Sequence, residues 1–256
     1  MSIGFYTLMH REIVRVIRIW PQTLIPQIIN MTLYLVIFGK LIGARIGTIN
    51  GIEYLQYILP GLLVIAIFNN AYNNLAWSFF GARFAHHIEE LFVSPMTNTS
   101  IMSGYIAAGI IRSILVAAIV LIIANCFASI HVANLWLMIF TTILIATIFA
   151  LAGLLNAIFA SKFEDITSVP MCIITPLTYF AGVFYSIDQL PTSLKIISFA
   201  NPIFYLVNLL RFSMLGISDV DFGYALYMSL GLTLALFLLA WYCIKHGYAS
   251  CDAIYN

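Results

Sequence analysis

The feature that most constrains this chain is a succession of apolar runs, all but one of them long enough to cross a bilayer. They fall at about 22–42, 54–80, 101–125, 135–160, 169–184 and 224–244. About 20 apolar residues at 1.5 Å per residue match roughly 30 Å of hydrocarbon. Each run therefore predicts a membrane-crossing helix. Charged residues make up only 8% of the chain and hydrophobic residues 62%, whereas a soluble domain carries about 25% charged residues. A chain this apolar has too little polar surface for water, so its solvent is the bilayer. The expected fold is a single all-α integral membrane domain over 1–256, with six transmembrane helices. The net charge of +1 creates no global field that would draw nucleic acid. The four cysteines, Cys126, Cys172, Cys243 and Cys251, are scattered and have neither zinc nor disulfide spacing.

Residues 5–20 have the pattern of an amphipathic helix. Phe5, Met9, Ile13, Val16 and Trp20 recur at helical spacing, with Arg11, Arg15 and Arg18 opposite. Such a helix lies in the membrane surface, rings down and guanidiniums toward headgroups. The first run is full length and lacks a small-residue cleavage site, so it is expected to stay as a helix rather than be removed as a signal. The fifth run is short and is interrupted by Pro170 and Pro176. The stretch 185–223 is too apolar for a loop, yet Pro191, Lys195, Asn201, Pro202 and Arg211 break it. It predicts short re-entrant helices, because irregular backbone at membrane depth must be buried in protein or line water. The basic residues place both termini in the cytoplasm: Arg11, Arg15, Arg18, Arg83, Lys162 and Lys245 fall inside, and Lys40, Arg45, Lys195 and Arg211 outside.

Few residues within the spans carry chemistry. Arg112 lies midway along the third run, where an arginine costs about 2.5–3.5 kcal/mol on insertion scales, so it must face protein or water. Asn69, Asn70, Asn73 and Asn74 form a polar stripe on the second run. That stripe serves either as interhelical glue or as a polar wall beside a substrate route. Gly104/Ala108 and Gly153/Ala157 are small-residue pairs that allow close helix contact. Tyr179, Phe180, Phe184 and Tyr185 give the fifth run an aromatic surface, suited to sugar faces, acyl chains or plain packing. Between the second and third runs, 81–95 reads GARFAHHIEELFVSP. His86, His87, Glu89 and Glu90 lack the order of a metal-binding helix, so no metal is expected there. A short helix with Ile88, Leu91 and Phe92 on one side suits docking into a groove on a partner. The sequence contains no G-x-x-x-x-G-K-[ST] phosphate loop, so an ATP-driven process needs a separate ATPase.

Four stretches together resemble the ABC-2 type transport permeases, most closely their YadH-like branch. These are Arg18-Ile19-Trp20-Pro21 through Pro26, Glu53-Tyr54 through Leu59-Pro60-Gly61, Glu89-Glu90-Leu91-Phe92-Val93-Ser94-Pro95, and a C-terminal set. That set comprises Pro176-Leu177-Thr178-Tyr179, Gly182-Val183-Phe184-Tyr185, Leu190-Pro191, Asn201-Pro202 and Arg211. The resemblance implies a homodimer of permease subunits in a bacterial inner membrane, joined to two copies of an ATP-binding subunit that holds ATP and magnesium. It implies export of an amphipathic or hydrophobic substrate, such as a lipid-linked glycan, lipo-oligosaccharide or drug-like molecule. Arg83, His87, Ile88, Glu89, Glu90, Leu91 and Phe92, with Arg11 and Arg15 of the surface helix, would couple to the ATPase. The asparagine stripe, Arg112 and the four aromatics would border the route. Pro176, Gly182, Pro191, Asn201, Pro202 and Arg211 would shape the gate and re-entrant segment. Many relatives have Gly-Thr before the coupling-helix acid, where this chain has His87-Ile88; docking is therefore expected to suit a particular ATPase. The competing reading is a lipid-modifying membrane enzyme using His86, His87, Glu89 and Glu90. It lacks a second acid–base cluster at matching depth. An ion-coupled carrier would want acidic residues well inside the spans, and none lies there.

Overall fold

A computed structural model describes residues 2–49, 51–93, 96–128, 130 and 132–246, with only the backbone given for 2–3 and 90–92. Ser94, Pro95 and Cys251, and the side chains of Glu90, Leu91 and Phe92, therefore lie outside the described residues.

The chain begins with α1 (Ser2–Arg18), which is separated by Ile19 from α2 (Trp20–Tyr34). α2 passes into a π-helix (Leu35–Ile42) and a last turn, α3 (Gly43–Ile46). A small antiparallel pair, β1 (Thr48–Ile49) and β2 (Ile52–Glu53), leads into α4 (Tyr54–Phe84). α5 (His87–Val93) and α6 (Asn98–Asn125) follow, then α7 (Leu135–Phe159). α8 (Phe163–Val169), a second π-helix (Pro170–Ile174) and α9 (Thr175–Tyr179) form one short composite helix. A 3₁₀ turn (Ile187–Gln189), α10 (Thr192–Ala200), α11 (Pro202–Leu215) and α12 (Phe222–Lys245) complete the described chain.

Among the described residues, five helices are long and apolar enough to cross a membrane: Trp20–Ile46, Tyr54–Phe84, Asn98–Asn125, Leu135–Phe159 and Phe222–Lys245. The pair α10–α11, bent by 85°, makes a sixth if it counts as one span. Four of the expected runs fall inside these helices; 135–160 overshoots α7 by one residue, Ala160. The fifth run does not fall inside one. Its helix occupies 163–179 rather than 169–184 and spans 17 residues, roughly 25 Å. The reason lies in its two ends. Asp165 accepts the backbone N–H groups of Ser161 and Lys162, both at 2.9 Å, which starts the helix early. Gly182, at φ 68°, turns the chain away after Tyr179. Pro170, which has no N–H to donate, sits where the α-helical ladder opens into the π turn.

α4 is the central post. It packs against α6, α7 and α11, and 83% of its apolar window is buried. α7 lies closest to it. A Cβ built on Gly153 would stand 2.5 Å from the Tyr72 carbonyl oxygen, so this glycine of the expected Gly153/Ala157 pair sets the helix separation. Gly104 of the other pair receives Leu8 of α1. The helix Trp20–Ile46 and α12, by contrast, each bury only 11% of their most apolar stretch within the protein.

α1 turns Leu8 and Glu12 inward, with Arg15 half-buried beside them, while Trp20 of the expected lipid-facing stripe is exposed. Glu12 turns toward α4 because Ser78 offers it there a hydrogen bond that lipid does not provide.

Candidate functional site: two polar junctions and a corner helix

The first junction joins α1, α4 and α6. The Glu12 carboxylate, 2% exposed, accepts from Ser78 Oγ at 2.6 Å and Arg15 Nε at 3.0 Å, with Arg11 Nη2 at 3.3 Å. Arg11 also donates to the Tyr105 hydroxyl at 3.0 Å. Arg15 Nη2 reaches Asn74 Oδ1 at 2.9 Å. From the other side Arg112 Nη1 donates to the same Asn74 oxygen at 3.0 Å, and its Nε donates to Asn70 Oδ1 at 3.1 Å. Asn70 and Asn74 are buried and face Arg112; Asn69 and Asn73 are half-buried, with the Asn73 amide donating to the Asn69 carbonyl. The expected stripe is thus split into an inner pair that holds an arginine and an outer pair that satisfies itself.

This geometry makes Arg112 a brace between α4 and α6, because its planar fork spans two amide oxygens one turn apart. Arg112→Ala is expected to lower the stability of the purified protein by about 1.5–3 kcal/mol, the usual loss for hydrogen bonds to a charged group. Arg112→Lys should recover less than half of it, since an ammonium cannot serve both amides in one plane. Thermal unfolding of the three proteins in one detergent checks this. A lysine variant as stable as the parent would mean that charge alone is needed.

The second junction lies where α11 meets the turn after α9. Arg211 is fully buried. Its Nη1 pairs with Asp219 Oδ2 at 2.8 Å, and its Nη2 donates to the Gly182 carbonyl at 2.6 Å. The guanidinium stands 4.1 Å from the ring centre of Tyr57 on α4. Asp219 is held by Ser186 Oγ at 3.4 Å, and its backbone N–H donates to Asn208 Oδ1 at 2.9 Å. Asn201 joins α10 to α11: its side chain accepts from Ile203 N at 3.0 Å and donates to the Leu177 carbonyl at 2.6 Å. Pro202, at the first position of α11, needs no hydrogen-bond partner for its nitrogen. Gly182, Asn201, Pro202 and Arg211 therefore meet at one corner. Pro176 and Pro191 are exposed at its margins.

The four aromatics part company. Phe184 is half-buried and stacks on Phe38 of the first π-helix, centroids 4.6 Å apart, while its carbonyl accepts from Tyr54 at 3.0 Å. Tyr185 donates to the Tyr179 carbonyl at 2.9 Å. Tyr179 ends the composite helix and Phe180 follows it, and both are exposed.

α5 forms a separate corner. His86 at φ 59° reverses the chain after α4, and Ile88 is buried against the bundle. His87 and Glu89 are exposed, and Glu89 pairs with His86 at 3.3 Å. Val93 is 88% exposed at the far end. Arg83 turns inward instead: its Nη1 donates to the carbonyls of Ala157, Ile158 and Ala160, at 3.2, 2.6 and 3.1 Å. There it offsets the negative end of α7.

Sequence reasoning missed Glu12, Ser78, Tyr105, Asp219, Tyr57 and Asn208. Glu12 had a signal: it is a lone acid three residues before Arg15 on a basic helix. Asp219 had only an indirect one, since a buried arginine demands a counter-charge. Among the described residues no three His, Cys, Asp or Glu side chains form a metal-binding group.

Long apolar helices, joined internally by polar side chains that lipid cannot satisfy, define a multi-pass membrane protein. The family profile of the ABC-2 type transporters matches residues 4–215. Over 237 residues the chain is 44% identical to the inner membrane transport permease YadH of Escherichia coli K12, covering 93% of each protein. It is 28% identical to the ycf38 protein of Cyanophora paradoxa over 75% of this chain and 68% of that one. It is 22% identical to nodulation protein J of Rhizobium leguminosarum bv. viciae over 72% and 71%. The chain belongs to the ABC-2 type transporter family.

Proposed function

We propose that this protein is the membrane-spanning permease subunit of an ATP-binding cassette exporter in a bacterial inner membrane. It moves an amphipathic or hydrophobic substrate outward from the cytoplasm or inner leaflet, and a separate ATPase subunit that holds ATP and magnesium supplies the energy. The observation that carries the reading is the 44% identity to an inner membrane transport permease across 93% of both chains. The lack of a phosphate-binding loop in the sequence supports a borrowed ATPase.

Two features fit the subunit arrangement. The helix Trp20–Ile46 and the composite helix 163–179 both expose large apolar side chains, and each contains a π segment. Such segments occur where helices are locally deformable, often at functional sites. In this reading those helices meet a second copy and border the route. Phe38 and Phe184 close it at the end nearer α11, and the Arg211–Asp219 corner keeps the re-entrant pair in place. At the cytoplasmic side α5 is the coupling helix, fixed to the bundle by Ile88 and offering its outer end to one of the two ATPase copies of the complex. Arg15 and Glu12 carry the motion of α1 to Asn74 and Arg112.

Co-expression with a partner ATP-binding subunit tests this. The expected result is a stable complex whose ATP hydrolysis depends on the permease. Leu91→Asp with Phe92→Asp is expected to reduce co-purification and hydrolysis at least ten-fold, about 1.4 kcal/mol or more of lost docking energy. Unchanged assembly and hydrolysis in that variant would remove α5 from the docking role.

A further inference from the structure

Beside α1, facing α4 and α5, lies an open groove of about 710 Å³. Arg11, Arg15, Arg18, His10 and His87 line it, together with the one carboxylate, Glu12. That carboxylate is already shared among Ser78, Arg11 and Arg15. Arg18 is exposed and has no hydrogen-bond or ionic partner among the described residues. Behind the groove, Arg15 and Arg112 donate to the same neutral oxygen, Asn74 Oδ1. Two cations converging on one amide repel each other, and an anion seated beside Arg15 relieves that repulsion. The groove also has apolar lining: Val14 of α1 and Trp77 of α4 face it and are both exposed. Tryptophan at such a position marks the level of the headgroups.

We propose that this groove is a binding site for a phosphate group, held by Arg11 and Arg18 with Arg15 beneath it. Guanidinium forks match phosphate oxygens in pairs, which an ammonium or imidazole does not. Two sources carry that chemistry: the headgroup of an anionic phospholipid on α1's side of the membrane, and a free phosphate anion. Val14 and Trp77 are placed for the glycerol and first methylenes of a lipid. The site needs neither an ATPase nor a transported substrate, so its test stands apart from the exporter reading.

Native mass spectrometry of the full chain in detergent, titrated with phosphatidylglycerol or phosphatidylcholine, provides the test. Wild type is expected to retain phosphatidylglycerol at lower free lipid than phosphatidylcholine. Arg18→Gln and Arg11→Gln should each weaken that retention roughly five-fold, as expected for one basic side chain at a charged membrane surface. Lys195→Gln, on α10, should leave it unchanged. Arg18 makes no internal bond, so its variant keeps the fold even if the Arg11 variant does not. Titration with inorganic phosphate alone separates the sources: a phosphate adduct that Arg18→Gln abolishes assigns the site to the free anion, and its absence beside retained phosphatidylglycerol assigns it to the headgroup. Equal retention of the two lipids, or retention unaffected by Arg18→Gln, overturns the proposal.

Discussion

Asp219→Asn is expected to destabilise the protein by about 3–5 kcal/mol, the usual result of removing one partner from a buried ion pair. Arg211 is fully buried, and Asp219 is its only carboxylate partner among the described residues, at 2.8 Å. The asparagine keeps the shape and loses the charge, so the guanidinium is left with the Gly182 carbonyl and the face of Tyr57. Both are weaker partners than a carboxylate. The loss should appear as a lower unfolding midpoint and as faster proteolysis in the 182–219 region, since α10, α11 and the turn after α9 are tied together there. Asp219→Leu combined with Arg211→Met should recover part of the stability, because a buried pair is often replaceable by apolar side chains of similar volume. Recovery should be incomplete, as the Gly182 carbonyl loses its donor. A single Asp219→Asn variant that melts with the parent would show that the pair contributes nothing to this corner.

Gly153→Ala is the second large effect. The added methyl would stand 2.5 Å from the Tyr72 oxygen and 3.2 Å from the Tyr72 carbonyl carbon and Cα. All three are backbone atoms, so no side chain can swing aside. α4 and α7 must separate along the most extensive helix contact in the fold. Overpacking of this kind costs about 1–3 kcal/mol, and a rigid backbone neighbour places the cost at or above the upper end. Gly231→Ala on α12 is the control. Nothing lies within 4 Å of its added methyl, so the gain in helix propensity, about 0.8–1 kcal/mol, should appear with no penalty. Opposite shifts of the two midpoints are expected. A tolerated Gly153→Ala would mean that α4 and α7 slide past each other more freely than their packing indicates.

The corner helix shows how much could be read locally. Its sequence, a charged and an apolar side between two spans, marked it as a short helix, and α5 lies there. The π segment at Pro170 follows from a residue type that lacks a hydrogen-bond donor. The Asn stripe announced burial, but not that Asn70 and Asn74 alone would turn to Arg112. The resemblance groups Arg83 with the coupling residues; its placement on the carbonyls ending α7 depends on where a helix more than 70 residues later stops.

The sequence by itself determined the solvent and the building blocks: apolar runs of bilayer length force helices, since only a helix or a closed barrel satisfies its backbone in hydrocarbon. It also marked breaks between helices at Gly182 and Asn201, but not the π segment at Leu35–Ile42, which contains no proline. The tertiary structure alone decided which charges meet. Glu12 finds Ser78 and Arg15, Arg112 finds two asparagines, and Arg211 finds Asp219. Periodicity along one helix reports which side avoids lipid. It carries no information on which neighbour fills that side, because that depends on helix separations fixed by residues as distant as Gly153 and Tyr72.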